Sequence, residues 1–105
     1  METKDIYVQQ KVGLRSGDVI TGDRVSLHEL IEENGGLNII SLENVIKAFE
    51  RQLESVRDFK NMTFFMVNVN GVSRFIHPDN ISYVEIHGMD KLLEKVIELI
   101  ENGDY

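Results

Sequence analysis

Residues Met62 to His87, MTFFMVNVNGVSRFIHPDNISYVEIH, decide the fold. Asn70-Gly71 separates Phe64-Phe65-Met66-Val67-Asn68-Val69 from Val72-Ser73-Arg74-Phe75-Ile76-His77. Asn-Gly between two apolar runs favours a type I′ hairpin, whose two central residues both need positive φ. Pro78-Asp79-Asn80 then turns the chain again, and Ile81-Ser82-Tyr83-Val84-Glu85-Ile86 alternates well enough to predict the third strand of a meander. A two-residue loop sets Val69 against Val72, Val67 against Arg74 and Phe65 against Ile76 on one face. Asn68 with Ser73, Met66 with Phe75 and Phe64 with His77 share the other. Both faces are apolar away from the turn, which predicts a sheet covered on both sides.

Upstream, Ile6 to Leu14 reads as a strand with Ile6, Val8, Val12 and Leu14 on one side. Ser16-Gly17 turns it into a returning strand, Asp18-Val19-Ile20-Thr21, ended by Gly22-Asp23. Ser26 and Glu29 have capping-box spacing, so a short helix follows with Leu27, Leu30 and Ile31 on its buried stripe, stopped by Asn34-Gly35-Gly36. Leu37-Asn38-Ile39-Ile40 reads as a short strand. Ser41 then caps a long helix in which Leu42, Val45, Ile46, Phe49, Leu53, Val56 and Phe59 recur at helical spacing. After the meander Gly88 breaks the strand and Asp90 is the expected N-cap of a last helix. Its arc of Leu92, Leu93, Val96, Ile97, Leu99 and Ile100 is wider than one core-facing stripe needs. Either the helix is wedged between sheet and neighbouring helix, or part of it pairs with a second protomer, giving a homodimer through the C-terminal helix.

The expected architecture is a single α+β domain over residues 1–105. It has an antiparallel or mixed sheet of five to six strands, open or partly closed as a small barrel, with two longer helices and one short one. No run approaches the roughly 18 apolar residues of a membrane span, and the N-terminus lacks a signal peptide's basic and apolar regions, so a cytoplasmic location without membrane contact is expected. The chain has no cysteine, which removes disulfides, thiolate metal sites and cysteine nucleophiles. Eighteen Asp and Glu against eleven Lys and Arg leave a formal charge of −7, which opposes non-specific attraction to a phosphate backbone. From Met62 onward three basic residues face seven acidic ones, whereas the first thirty residues are nearly neutral.

Chemistry-bearing constellations are sparse. His77-Pro78-Asp79 and His87-Gly88-Met89-Asp90 bring an imidazole close to a carboxylate, as a general base or a metal site would require. Their spacing matches no metal motif, and His28 lies on another element. Ser16 lacks the strand-elbow-helix setting of a nucleophile, and Gly13, Gly17 and Gly22 surround a hairpin rather than a phosphate loop. Asp18 and Asp23 lack the ligand density of a calcium loop. No catalytic residue, metal site or cofactor is therefore expected. Arg74 is the odd residue, a cation mid-strand among apolar neighbours, which pairs with Glu85 on the next strand, snorkels, or meets a partner. Lys11, Arg15, Arg24, Arg74, His77 and Tyr83 are the candidate contacts to a protein or RNA partner, since RNA-binding sheet faces combine cations with stacking aromatics.

The layout of two opening strands, a capped short helix, a long amphipathic helix, the segment VNGVSRFIHPDNISYVEI and a closing helix resembles the small PrgU-like proteins carried by conjugative plasmids of Gram-positive bacteria. That resemblance implies a regulator limiting production of plasmid-encoded surface proteins, with a fold similar to the RNA-binding PUA barrels. It carries no functional residues over. The expectation is a non-enzymatic bacterial or mobile-element regulatory or adaptor protein that binds a macromolecular partner. An RNA-binding PUA-like regulator is the alternative, and a small hydrolase or metal-dependent enzyme using His77 or His87 the third.

Overall fold

The computed structural model describes residues 5–103. The chain runs β1 (Tyr7–Leu14), β2 (Val19–Thr21), β3 (Val25–Ser26), α1 (Leu27–Glu33), α2 (Ile39–Arg57), β4 (Phe65–Val69), β5 (Val72–Ile76), β6 (Ile81–His87) and α3 (Met89–Asn102). Single 3-10 turns, Phe59–Asn61 and Pro78–Asn80, precede β4 and β6. The α+β class holds, with every strand pair antiparallel, but the strands form no closed barrel. No described helix is long and apolar enough to cross a membrane.

The type I′ hairpin forms in the expected register. Val69 faces Val72, Val67 faces Arg74 and Phe65 faces Ile76. Asn70 and Gly71 take φ of 53° and 77°, the left-handed pair that this turn demands. The meander does not form. β6 leaves the hairpin and pairs with β1, from Gln9 opposite His87 to Leu14 opposite Ile81. The 3-10 turn at Pro78–Asn80, with His77 Nδ1 accepting from the Asp79 N–H at 3.2 Å, redirects the strand. Pro78 has no N–H for a ladder. In β6, Val84 and Ile86 share a face with Val12 and Gln10 of β1 and lie against the core, an attachment that burial favours over a third hairpin strand.

β1 is thus the centre of a four-stranded sheet. β6 takes one edge, and β2 and β3 follow one another along the other. Between them the register shifts by one residue, from Thr21 opposite Lys11 to Val25 opposite Val8. The extra residue lies in Gly22-Asp23-Arg24, a bulge that aims consecutive backbone groups in different directions. Gly22 N–H stays with β1 and donates to Gln10 O at 2.8 Å, while Asp23 N–H turns out and donates to Asn68 O of β4 at 2.8 Å.

Two apolar clusters lie in line along the sheet, and the molecule is correspondingly long, 46 × 24 × 21 Å. In the first, Ile6 and Val8 are covered by Leu27 and Ile31 of α1, Leu42, Val45 and Phe49 of α2, and Leu92, Val96 and Leu99 of α3. In the second, Val12 and Ile81 are covered by Phe65 and Val67 of β4 and by Phe59. Each fully buried large apolar side chain contributes about 1.5–3 kcal/mol.

Four helix expectations resolve as follows. Ser26 caps α1, accepting the Glu29 N–H at 3.1 Å and donating its hydroxyl to Glu29 Oε1 at 3.3 Å. The expected strand at Leu37–Ile40 is instead the entry to α2. Asn38 Oδ1 accepts the Ser41 N–H at 2.9 Å, making Asn38 the N-cap, and the buried Ser41 hydroxyl donates to Asn34 O at 2.7 Å. At α3 the N-cap is Gly88, in the left-handed region, and Asp90 stands in the first turn. The wide arc of α3 is largely consumed inside. Leu93 and Ile100 pack on the first core, and Ile97 stays 47% exposed.

Candidate interaction surface

The β4–β5 hairpin is a two-stranded sheet whose faces differ sharply. Phe65 and Val67 are buried against Val12 and Ile81, and Phe59 meets Phe65 edge-on with ring centres 6.4 Å apart. The opposite face is uncovered, contrary to the expectation of cover on both sides. Phe64 is 54%, Met66 49% and Phe75 67% exposed. Phe64 also meets His77 edge-on at 6.4 Å, and the Ser73 hydroxyl donates to Asn68 Oδ1 at 2.8 Å. The result is a row of large apolar groups rimmed by His77 and the Asn68–Ser73 pair.

Asp23 holds this hairpin in place. Its carboxylate accepts the Asn70 N–H at 2.6 Å and the Gly71 N–H at 2.8 Å, closing the I′ turn from outside. Hydrogen bonds to a charged group are worth roughly 1.5–3 kcal/mol each when sheltered and less at an exposed turn. The bulge reaches the hairpin because Gly22 has no side chain: a Cβ there would stand 3.0 Å from Val67 Cγ2 and 3.3 Å from Gln10 O. From the sequence Asp23 reads as turn chemistry ending β2, without the ligand density of a cation site. Its true role depends on a contact 47 residues away.

On the main sheet, Tyr7, Gln9, Lys11, Tyr83, Glu85 and His87 share the face turned away from the cores, as the pairs Gln9–His87, Lys11–Glu85 and Gly13–Tyr83 require. The Arg24 guanidinium lies 4.5 Å from the centre of the Tyr7 ring, a cation–π contact built by the bulge. The Tyr83 ring covers Gly13 so closely that a Cβ there would collide with it. A hollow of about 470 Å³ beside this face is lined by Tyr7, Lys11, His87 and Lys91 together with Asp5. Glu85, directly across from Lys11 and 3.7 Å from His87, sets a carboxylate among these cations.

The six candidate contacts therefore divide. Lys11 and Tyr83 lie on the outer face of the main sheet, and Arg24 stacks on Tyr7 at one end of that face, six strand positions from the Gly13–Tyr83 pair. Arg15 sits in the β1–β2 turn, where its backbone N–H donates to Asn80 O at 2.9 Å. Arg74 and His77 belong to the hairpin. Arg74 does not pair with Glu85, because β6 lies beside β1 and not beside β5. It is exposed on β5. His77 and His87 stand at opposite ends of β6, His77 beside Asp79 at 3.7 Å. No three described His, Asp or Glu side chains cluster closely enough to hold a metal ion.

A cleft of about 580 Å³ separates the hairpin from the helix-backed end of the molecule. Asp23, Arg24 and Glu29 line it together with Gln10, Gln52, Asn68, Ser73, Val8 and Ile86, so its walls carry charges of both signs beside carboxamide, hydroxyl and aliphatic groups.

No family model, no curated protein and no solved structure matches this chain.

Proposed function

We propose that this chain is a non-enzymatic regulatory or adaptor protein that binds a protein partner through the β4–β5 hairpin. The observation that carries the reading is the uncovered row of Phe64, Met66 and Phe75 on a strand pair whose other face is buried along β4, at Phe65 and Val67. Contiguous exposed apolar surface of this kind marks interaction sites on soluble domains. The free edge of β5 adds backbone donors and acceptors that an extended segment of another protein can pair with. The resemblance to PrgU-like proteins, which rests on element order and length, adds a regulatory setting, the production of plasmid-encoded surface proteins. The hairpin surface stands independently of it. The test compares capture of bacterial proteins by the wild-type chain, Phe75→Lys and Lys11→Ala. A bound protein lost with Phe75→Lys and kept with Lys11→Ala supports the reading; capture indifferent to Phe75 removes it.

RNA binding by the outer face of the main sheet is the second reading, favoured by the Arg24–Tyr7 stack on the same face as Lys11 and Tyr83. It requires affinity for a structured RNA that falls steeply with salt and weakens in Arg24→Ala and Lys11→Ala. An affinity unchanged by both substitutions counts against it.

A further inference from the structure

The inward face of β1 carries one residue that breaks its apolar pattern. Val8 and Val12 are buried, and the period of two places Gln10 between them on the same face. Val8 belongs to the helix-covered cluster and Val12 to the hairpin-covered one. Gln10 therefore stands where the two covering layers fail to meet, half-buried on the sheet wall of the cleft of about 580 Å³.

A carboxamide at this position forgoes the burial that an aliphatic side chain would give, and no hydrogen bond to a described residue offsets the loss. Of the three glutamines lining the cleft only Gln9 is engaged, donating from Nε2 to Gly22 O at 3.0 Å. Gln10 and Gln52 of α2 are both half-buried, and neither carboxamide bonds to a described residue. No described side-chain N or O is sealed from solvent without a partner, so both amides are reachable from the cleft they line. The charged groups of the cleft are occupied by contrast. The Asp23 carboxylate accepts from the Asn70 and Gly71 N–H, Glu29 Oε1 accepts from the Ser26 hydroxyl, and the Arg24 guanidinium stacks on Tyr7. Two carboxylates against one guanidinium, in a chain of net charge −7, oppose an anion.

We propose that the cleft is a binding site for a small uncharged ligand with an amide edge, a hydrogen-bond donor beside an acceptor on a planar body. A carboxamide is the side chain matched to such an edge. Its C=O accepts and its NH₂ donates side by side, so it pairs with an amide or a nucleobase through two parallel hydrogen bonds. Gln10 from the sheet and Gln52 from α2 supply this group, while Val8, Val67 and Ile86 supply aliphatic wall for the planar body. The volume lies within the roughly 300–1,000 Å³ of small-molecule sites. None of Phe64, Met66 and Phe75 lines the cleft, so the site is separate from the apolar row of the hairpin. Gln52 and Asn68 come from opposite covering layers, and a ligand between them ties the hairpin to the helices.

Titration of the isotope-labelled chain with benzamide, uridine and benzoate, read by amide chemical shifts, tests this. Benzamide and benzoate share a ring and differ in the amide NH₂; uridine presents the same donor-acceptor edge on a nucleobase. Benzamide or uridine shifts the amides of Gln10, Gly22 and Gly71 saturably, with a dissociation constant in the millimolar to high-micromolar range expected of so small a ligand. The bound ligand also slows hydrogen exchange in β4 and β5. Tighter binding of uridine identifies a nucleobase as the natural edge, and tighter binding of benzamide a carboxamide. Gln10→Leu weakens binding about tenfold or more. Its thermal midpoint equals or exceeds that of the wild type, because leucine extends the apolar row and no internal hydrogen bond is lost. Gln52→Met, similar in volume, weakens binding severalfold without unfolding α2. The site is overturned by an absence of saturable shifts with both amide probes, or by benzoate binding as well as benzamide. Undiminished affinity in Gln10→Leu overturns it too; should that variant fail to fold, undiminished affinity in Gln52→Met does the same.

Discussion

At one end of the long sheet Ile6 and Val8 lie beneath three helices; at the other Val12 and Ile81 lie beneath a two-stranded hairpin. Both clusters contain residues excluded from water, so burial alone does not separate them. What separates them is the back of the covering layer. The outer faces of the helices are mostly polar and charged, with single exposed apolar residues at Ile40, Leu53 and Ile97, whereas the hairpin turns Phe64, Met66 and Phe75 outward together. A helix satisfies its backbone internally and can end a protein, but a strand pair leaves an edge and a second face to be dealt with. The hairpin-capped end is therefore the end that keeps an open strand edge and an uncovered apolar face.

The largest test of this contrast is truncation in each core. Leu92→Ala and Phe65→Ala each cost about 3 kcal/mol or more, but their signatures differ. Leu92→Ala lowers amide protection throughout α2, α3 and β1 in hydrogen exchange. Phe65→Ala exposes β4 and β5 first, with α2 and α3 still protected. Simultaneous loss of protection everywhere in Phe65→Ala would break the two-core comparison.

Asp23→Ala comes next, at about 1–2 kcal/mol, with β4 and β5 amides losing protection while the β1–β6 ladder keeps its own. Asp23→Asn recovers part of that loss, because its carbonyl accepts one turn amide while its NH₂ opposes the other. Equal effects from the two substitutions would show that geometry rather than acceptor count holds the turn. Gly71→Ala costs about 1 kcal/mol in urea unfolding by placing a Cβ on a left-handed residue. The smallest effect is expected at Arg74. Arg74→Ala changes stability by no more than about 0.5 kcal/mol; a larger loss would reveal an intramolecular partner for the guanidinium.

Local signals were legible where a few adjacent residues decide the outcome. Asn70-Gly71 specified turn type and register because two positive φ values and a period of two leave no other alignment. Ser26 and Glu29 specified the start of α1, and the spacing of Leu42, Val45 and Phe49 specified the buried side of α2. The candidate interaction surface was less legible. The absence of polar alternation in the hairpin suggested cover on both faces, while the structure leaves one bare. The carboxylate-free run between Asp58 and Asp79 was the available hint. Asp23 was invisible, since nothing within a few residues distinguishes a turn aspartate from one that clamps a distant hairpin.

From its sequence alone this chain is determined to be a small α+β domain with an Asn-Gly hairpin, amphipathic helices and an acidic balance. All of these follow from spacing, turn chemistry and composition. Only the tertiary structure decided that β6 pairs with β1, that Arg74 is far from Glu85, and that the sheet is bridged to the hairpin by the bulge at Gly22-Asp23-Arg24. Strand partnership is a competition between burial options distant in sequence. Adjacency after Asn80 favoured β5, but β6 pairs with β1, where Val84 and Ile86 meet the core.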